Sequence, residues 1–528
     1  MTLKALGDSA WLVEFPGESG EAALARVMGL VAALENERPA GVLDVVPSFD
    51  SLAVRFDEAD GLEILEWIGS VVVVADRWIE GEEREIPVCY GGVHGPDLEE
   101  LAERTGLSVA EVIARHSSAV YTVAAVGFSP GFPYLLGLPE CLRVPRRETP
   151  RLAVPAGSVA VAGGQAGIYP FASPGGWHVL GRTDAGLFDP LAARPALLRS
   201  GDRVRFVPVE ALEAAVEIPR AAEISGERWI EVIEPGALTT VQDLGRPCHE
   251  SSGVSPGGAV DRHALRVANL MVGNEEGAAA LEICMSGPVL KFHAETTVAL
   301  VGATGKSRRV AAGETVDFSK LTGDVRACLA VAGGLGVPEV LGSAATDLRA
   351  GFGGFHGRGL RAGDRLAFCE AGEVPRCGDW HVGREDRISE VELRFLPGVQ
   401  QHWFLDAARL RFRSEAYQLT PRSDRMGARL AGGALELAEP REMVSQPVAC
   451  GSVQVPPDGQ PIILLAERQT IGGYPQIGHV ISVDLPKLAR AWPGTSLRFR
   501  EVTWEEAREL LWREERDFAS LRTGLKLL

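Results

Sequence analysis

The tripeptide Ser-Pro-Gly occurs three times, each time in a glycine-rich stretch: Ser129-Pro130-Gly131 in VGFSPGFPYLLGLP, Ser173-Pro174-Gly175 in FASPGGWHVLG and Ser255-Pro256-Gly257 in SGVSPGGAV. With Gly127 and Gly253 ahead of them, the first and last satisfy the G-x-S-x-G pattern of a hydrolase nucleophile. That chemistry requires the serine on a strand-to-helix turn, with the next backbone N–H forming part of an oxyanion hole. Here the next residue is proline, which has no N–H to give. The prolines of GFPYLLGLP also forbid the following helix. The three serines are expected in turns.

Two clusters of polar side chains have types suited to binding. Residues 163–184, GGQAGIYPFASPGGWHVLGRTD, bring together Gln165, Tyr169, Trp177, His178 and Arg182. They read either as a structural loop across a barrel mouth or as a pocket. In a pocket, glycine admits the backbone closely and Arg182 pairs with a carboxylate or phosphate. The second cluster is spread over three segments: Ser423, Asp424 and Arg425; Gln454, Asp458 and Gln460; Arg468, Gln469 and Tyr474. If these converge at one barrel end they form a polar site in which Asp424 or Asp458 serves as general base, provided burial raises its pKa. A structural Asp–Arg pair is the alternative for Asp424. His116, at the end of an expected helix, is explained by the helix dipole and is a secondary candidate.

Other motifs carry less. GATGKS (302–307) lacks the leading glycine of a phosphate loop, whose place is taken by Leu300, and SRRVAAGETVDF reads as hairpin and strand. The eight cysteines form no C-x-x-C and the ten histidines no H-x-x-x-H, so no metal site and no disulfide framework are expected. A net charge of −18 disfavours nucleic acid and anionic membrane as partners. No apolar h-region or membrane-length run is present, and a cytoplasmic location is expected.

These candidates need elements to hold them. Residues 1–80 alternate strands (AWLVEF, GVLDVV, LAVRF, VVVVA) with two helices, a small α/β module. From 81 to 210 two helices, the second with a Ser108/Glu111 capping box, precede short β runs broken by glycine and proline, a barrel pattern. A joint is expected at 211–228, followed by β-rich units at 229–380 and 381–528. Those units carry helices from Asp261 to about Val272 and from Thr503. Three echoes link the units: RSGDRVRFVP, RAGDRLAF and RAWPGTSLRFR; TVAAVGFSPGFPYLLG and CLAVAGGLGVPEVLGS; AGSVAVAGGQ and CGSVQVPPDGQ. The fold class expected is therefore mainly β, with an α/β N-terminal module and three related β-barrel units.

YTVAAVGFSPGFPYLLGLP, VPAGSVAVAGGQAGIYP and SPGGWHVLGRT resemble the B-type component of 5-oxoprolinase, the first member of the Kip-type pair. TTVQDLGRPCHESSGVSPGGAVDRHALRVANLMVGN, GSAATDLRAGFGG, SDRMGARL, GSVQVPPDGQP and RQTIGGYPQIGHVISVDLP resemble its partner, the C-type component. The resemblance implies 5-oxoprolinase subunits B and C fused in that order, with cyclophilin-like barrels. It implies a component of an ATP-dependent enzyme that opens 5-oxoproline to glutamate together with a separate third subunit, ATP being used in the complex. Homo-oligomerisation is compatible with it. Related pairs form the carboxyltransferase part of urea amidolyase, which uses biotin, or are described as a regulator of a sensor histidine kinase and its antagonist. Many members were labelled allophanate hydrolase subunits, but the Ser-Ser-Lys amidase signature is not visible here. No lysine of this chain has a methionine neighbour, so under the carboxyltransferase alternative biotin arrives on another protein.

Overall fold

The structure, a computed structural model, describes residues 1–36, 38–56, 61–71, 81–212, 226–302, 305–320, 324–375 and 390–526. Most of the expected joint at 211–228, and the VVVVA run beyond residue 71, lie outside the described residues.

The N-terminal module has strands β1 (Thr2–Ala5), β2 (Ala10–Glu14), β3 (Val42–Pro47) and β4 (Ser51–Phe56) in the order β1-β2-β4-β3. Helix α1 (Gly20–Asn36) places Val27, Leu30 and Leu34 at helical spacing, and α2 (Gly61–Ser70) adds Ile64 and Ile68. These residues share one core with Val13, Leu52 and Val54 of the sheet.

A closed barrel follows. After β5 (Glu83–Tyr90) come α3 (Leu98–Thr105) and α4 (Val109–Ser118). The Ser108 hydroxyl accepts from the Glu111 N–H and the Glu111 carboxylate returns to Ser108, the box expected from the sequence. Then come β6 (Val120–Val126), β7 (Pro133–Leu136), β8 (Arg151–Val154), β9 (Ser158–Ala162), β10 (Gln165–Ile168), β11 (Ser173–Gly175), β12 (His178–Arg182) and β13 (Arg203–Pro208). Around the barrel the order is β10-β7-β6-β13-β5-β12-β9, and β8 and β11 form a separate ribbon.

The last unit is a second closed barrel. Its strands run Ile462–Leu464, Gly427–Ala431, Tyr417–Leu419, Ser496–Glu501, Glu390–Pro397, Gln476–Val480 and Ser452–Gln454. This is the same order, position for position, as in the first barrel. Each closes on a parallel pair, β13 on β5 and Ser496–Glu501 on Glu390–Pro397, and every other pair is antiparallel. The echo between RSGDRVRFVP and RAWPGTSLRFR marks these two closing strands.

Between the barrels, ten strands form two five-stranded sheets. Ile230, Val232 and Phe292 of one sheet meet Val241, Ile283 and Leu329 of the other in a single core. The third echo, RAGDRLAF, lies in strand Arg365–Phe368, which pairs antiparallel with Trp229–Glu234. This unit therefore lacks the parallel closure of its neighbours. Helix Arg262–Met271 is capped by Asp261, whose carboxylate accepts from the Ala264 N–H, and helix Trp504–Leu525 is capped by Thr503.

The units pack crosswise. Leu6, Leu12 and Val46 of the N-terminal module bury against Val399 and Ala449 of the last barrel, and Trp11 packs on Trp504 with ring centroids 5.5 Å apart. Phe171 and Phe188 of the first barrel meet Val254, Val340 and Phe352 of the middle unit. Among the described residues no helix is long and apolar enough to cross a membrane.

Candidate functional site

The first polar cluster does not assemble as one pocket. Gln165 pairs across from Ala162 of β9, whereas Arg182 pairs across from Ser158. Four residues of strand, roughly 13 Å, separate them. The Arg182 Nε donates to the Ala156 carbonyl at 2.8 Å and ties down the turn before β9. Tyr169 and Trp177 are buried in a ring cluster around Phe132, with centroids 5.2 and 5.8 Å from it. Burial pushes the Tyr169 phenol up to about 12. His116 requires a correction. It is wholly buried, stacks on Phe206 at 4.7 Å, and its Nδ1 lies 2.8 Å from the Tyr90 hydroxyl. Burial drives its pKa down to about 3, so it is a neutral core residue and not a charged dipole partner.

The second cluster divides. Asp424 and Asp458 are exposed, so neither has the burial on which the general-base reading depended. The Asp424 carboxylate accepts from the Met426 and Gly427 N–H groups at 2.8 and 3.1 Å. Asp458 accepts from the Gln460 N–H at 3.1 Å. Both are turn formers. Ser423 accepts from the Arg429 N–H, and the Gln460 amide closes on Gly432. Gln454 and Gln469 approach each other over Gly472, where a Cβ would lie 2.5 and 2.8 Å from their amide nitrogens. Gln454 donates to the carbonyl of Tyr474, a residue exposed at the surface.

Arg425 and Arg468 have a different place. Arg425 is buried against Glu467 at 2.6 Å and against Glu282 and the Gly258 carbonyl of the middle unit. Arg468 and Arg55 share the Glu250 carboxylate at 3.0 and 2.8 Å, all three side chains buried. Arg55 also donates to the Val448 carbonyl. These ions join the N-terminal module, the middle unit and the last barrel. Breaking such a pair leaves an uncompensated buried charge.

The three Ser-Pro-Gly segments meet in one place, and the second is not the turn expected from the sequence but strand β11, paired with β8. Phe128, Ser129, Pro130, Phe171, Ser173 and Pro174 of the first barrel, with Ser255, Asp347 and Arg349 of the middle unit, line a cavity of about 180 Å³ on the seam. The first and last of these turns touch backbone to backbone: the Gly131 N–H donates to the Ser252 carbonyl at 3.0 Å. A Cβ on Gly253 would stand 2.7 Å from the Ser129 carbonyl oxygen, and Gly253 has φ +77°. Glycine is required there for both reasons. Ser255 donates to the Arg468 carbonyl at 2.7 Å, and the Gly257 N–H donates to the Ala466 carbonyl at 3.1 Å. Those contacts brace the turn from the last barrel.

Within the cavity the polar groups are not self-satisfied. Asp347 is 4% exposed. Its Oδ1 accepts from the Arg349 and Ala350 N–H groups at 3.0 and 2.9 Å, and its Oδ2 has no hydrogen bond among the described residues. The Ser173 hydroxyl is buried with no partner. The Arg349 guanidinium lies 6.0 Å from the centre of the Phe128 ring and pairs with no carboxylate among the described residues. Phe128 itself is held at φ +67°, a conformation costly for a bulky residue. Asp347 and Arg349 lie in GSAATDLRAGFGG, one of the stretches that carry the resemblance, but nothing in their types or spacing singled them out as a site. The repeated tripeptide is the signal that points to their neighbourhood.

The chain thus consists of two barrels of one strand order clasping a double-sheet unit. Residues 1–198 match the family described as carboxyltransferase domain, subdomain C and D, and residues 252–501 match carboxyltransferase domain, subdomain A and B. The second half is 38% identical over 304 residues to the C-type component of 5-oxoprolinase from Escherichia coli K12, covering 55% of this chain and 97% of that one. The first half is 40% identical over 223 residues to the B-type component of 5-oxoprolinase from Bacillus subtilis, covering 39% of this chain and 92% of that one. A solved structure, TTHA0988, follows both halves together at 37% identity with a TM-score of 0.82, covering 93% of this chain and 99% of its own. The chain belongs to the family of 5-oxoprolinase subunits B and C, with the B-like part preceding the C-like part.

Proposed function

We propose that this chain is the fused B–C component of an ATP-dependent 5-oxoprolinase, opening 5-oxoproline to glutamate together with a separate third subunit. The observation that carries this reading is that the B-like and C-like halves, each similar to nearly the whole of a 5-oxoprolinase component, jointly build the seam cavity. A small cavity holding an unpaired carboxylate oxygen, an unpaired hydroxyl and an unpaired guanidinium suits a compact polar molecule better than a large apolar one. The exposed turn carboxylates Asp424 and Asp458 take no part in it.

ATP enters as a co-substrate of the complex. In this chain the GATGKS stretch leads into strand Lys306–Val310, where a phosphate loop requires a helix, so no step is assigned to it. The test is glutamate formation from 5-oxoproline with ATP, using the chain alone, the third subunit alone and the two combined. Activity confined to the mixture is the expected result. A stable complex without activity would overturn the reading, and biotin-dependent carboxyl transfer would then be assayed on the same material.

A further inference from the structure

The seam cavity is lined by a guanidinium, a carboxylate and a hydroxyl, those of Arg349, Asp347 and Ser173, along an apolar wall. We propose that it is a binding site for a small amide that also carries a carboxylate. Arg349 pairs with the carboxylate, the free Oδ2 of Asp347 accepts the amide N–H, and the Ser173 hydroxyl donates to the amide carbonyl. This rests on the reading of the chain as a 5-oxoprolinase component and specifies which residues would recognise the lactam.

Each assignment follows from what the group lacks. A buried hydroxyl without a partner forfeits the hydrogen bond it makes in water, a cost that a ligand carbonyl repairs when rotation about the Ser173 Cα–Cβ bond turns the hydroxyl into the cavity. Asp347 is fixed by two backbone N–H bonds to one oxygen, so its carboxylate sits on a rigid mount, near the buried Arg246 guanidinium, and the other oxygen has no hydrogen bond among the described residues. An amide presents an N–H for a carboxylate oxygen to accept from and a C=O for a hydroxyl to donate to. Arg349 is the cation of this wall, and its planar fork matches a carboxylate bidentately. Phe128, Phe171 and the two prolines cover the remaining surface, leaving room for a compact apolar ring edge.

Both halves are needed. Ser173 and Phe128 belong to the first barrel, and Asp347 and Arg349 to the middle unit. The close approach of Gly253 to Ser129 sets the separation of the two walls. Neither wall alone presents all three groups.

The test is equilibrium binding by calorimetry with two probes, 5-oxoproline and 2-pyrrolidinone, the same lactam without its carboxylate. It is run on the folded chain alone and in complex with the third subunit. The parent is expected to bind 5-oxoproline at least about tenfold more tightly than 2-pyrrolidinone, because a charge-assisted pair is at stake. Arg349→Gln, at an exposed position where folding is unaffected, is expected to abolish that preference while leaving 2-pyrrolidinone binding unchanged. Ser173→Ala and Asp347→Asn are expected to weaken both probes about equally, with melting curves confirming that each variant is folded. Arg349→Gln binding both probes like the parent would overturn the proposal, as would absence of 5-oxoproline binding in both preparations. ATP-dependent glutamate formation that persists when the proposal fails would leave the function standing and move the site elsewhere. Selective binding without any turnover would keep the site and overturn the function.

Discussion

The two closed barrels have one strand order and opposite uses for the same loops. In the first, the connections β6–β7 and β10–β12 carry Ser129 and Ser173 to the cavity. In the last, the topologically equivalent connections carry Arg425 and the Glu467–Arg468 pair. Both sets of loops grip the middle unit around residues 250–261, from different sides. In the last barrel the space is filled by the Arg425 guanidinium and its two glutamates; in the first it is left open beside an unpaired hydroxyl. One contact is a plug and the other a socket. A shared scaffold thus separates a structural joint from a binding position by the choice of side chain at one loop.

Removing the plug should have the largest effect. Arg425→Met leaves Glu282 and Glu467 buried without their cation, and a loss of about 3–5 kcal/mol is expected in denaturant titration. The next effect depends on pH. Burial raises the Asp44 carboxyl from 3.8 to about 7, where it accepts from the Ser251 N–H at 2.9 Å between the N-terminal module and the middle unit. Because its proton is held more tightly in the folded state, its contribution is fully present below about pH 4 and lost as pH rises to 7, by up to about 1.4 kcal/mol per pH unit. Asp44→Asn stays neutral, so its melting temperature should gain on the parent between pH 5 and pH 8. A constant difference across that range would contradict the assignment.

A smaller effect is expected at the wall itself. Gly253→Ala places a methyl at positive φ against the Ser129 carbonyl, costing about 1–3 kcal/mol and widening the socket. Substrate affinity should fall with it, whereas Gly313→Ala, at positive φ with open space, should cost stability without touching affinity. The smallest effect sharpens the contrast. Asp424→Ala and Asp458→Ala remove turn hydrogen bonds at the surface of the last barrel, at no more than about 1 kcal/mol each. Turnover in the complex should stay within about twofold of the parent.

The barrels were legible because their closing strands repeat a local pattern, a glycine turn followed by alternating residues. The cap at Ser108 was legible for the same local reason, as were the helix starts at Asp261 and Thr503. The middle unit shares that turn, but its strand Arg365–Phe368 pairs antiparallel, and pairing direction is written in no short stretch. The site was harder to read. Asp424 and Asp347 are both aspartates in turns that accept two backbone N–H bonds, yet one is exposed and the other buried. Burial arises from the docking of distant units, and Ser173 and Asp347 meet only because the first barrel presses on the middle unit. His116 misled for the same reason. Its position at the end of α4 suggested a charge interaction, while the ring of Phe206 covering it comes from β13.

The crosswise packing has a consequence for how the chain is made. Leu6, Leu12 and Val46 are synthesised some hundreds of residues before Val399 and Ala449, the residues that cover them. During that interval the module carries an uncovered apolar face, the condition under which nascent chains depend on chaperones or associate wrongly. Tethering offsets this hazard afterwards. Were the two halves separate polypeptides, this face would have to find its cover by collision between molecules. A single chain instead holds it at an effective concentration in the millimolar range when the linker can span the sites. The completed assembly is then expected to resist dilution.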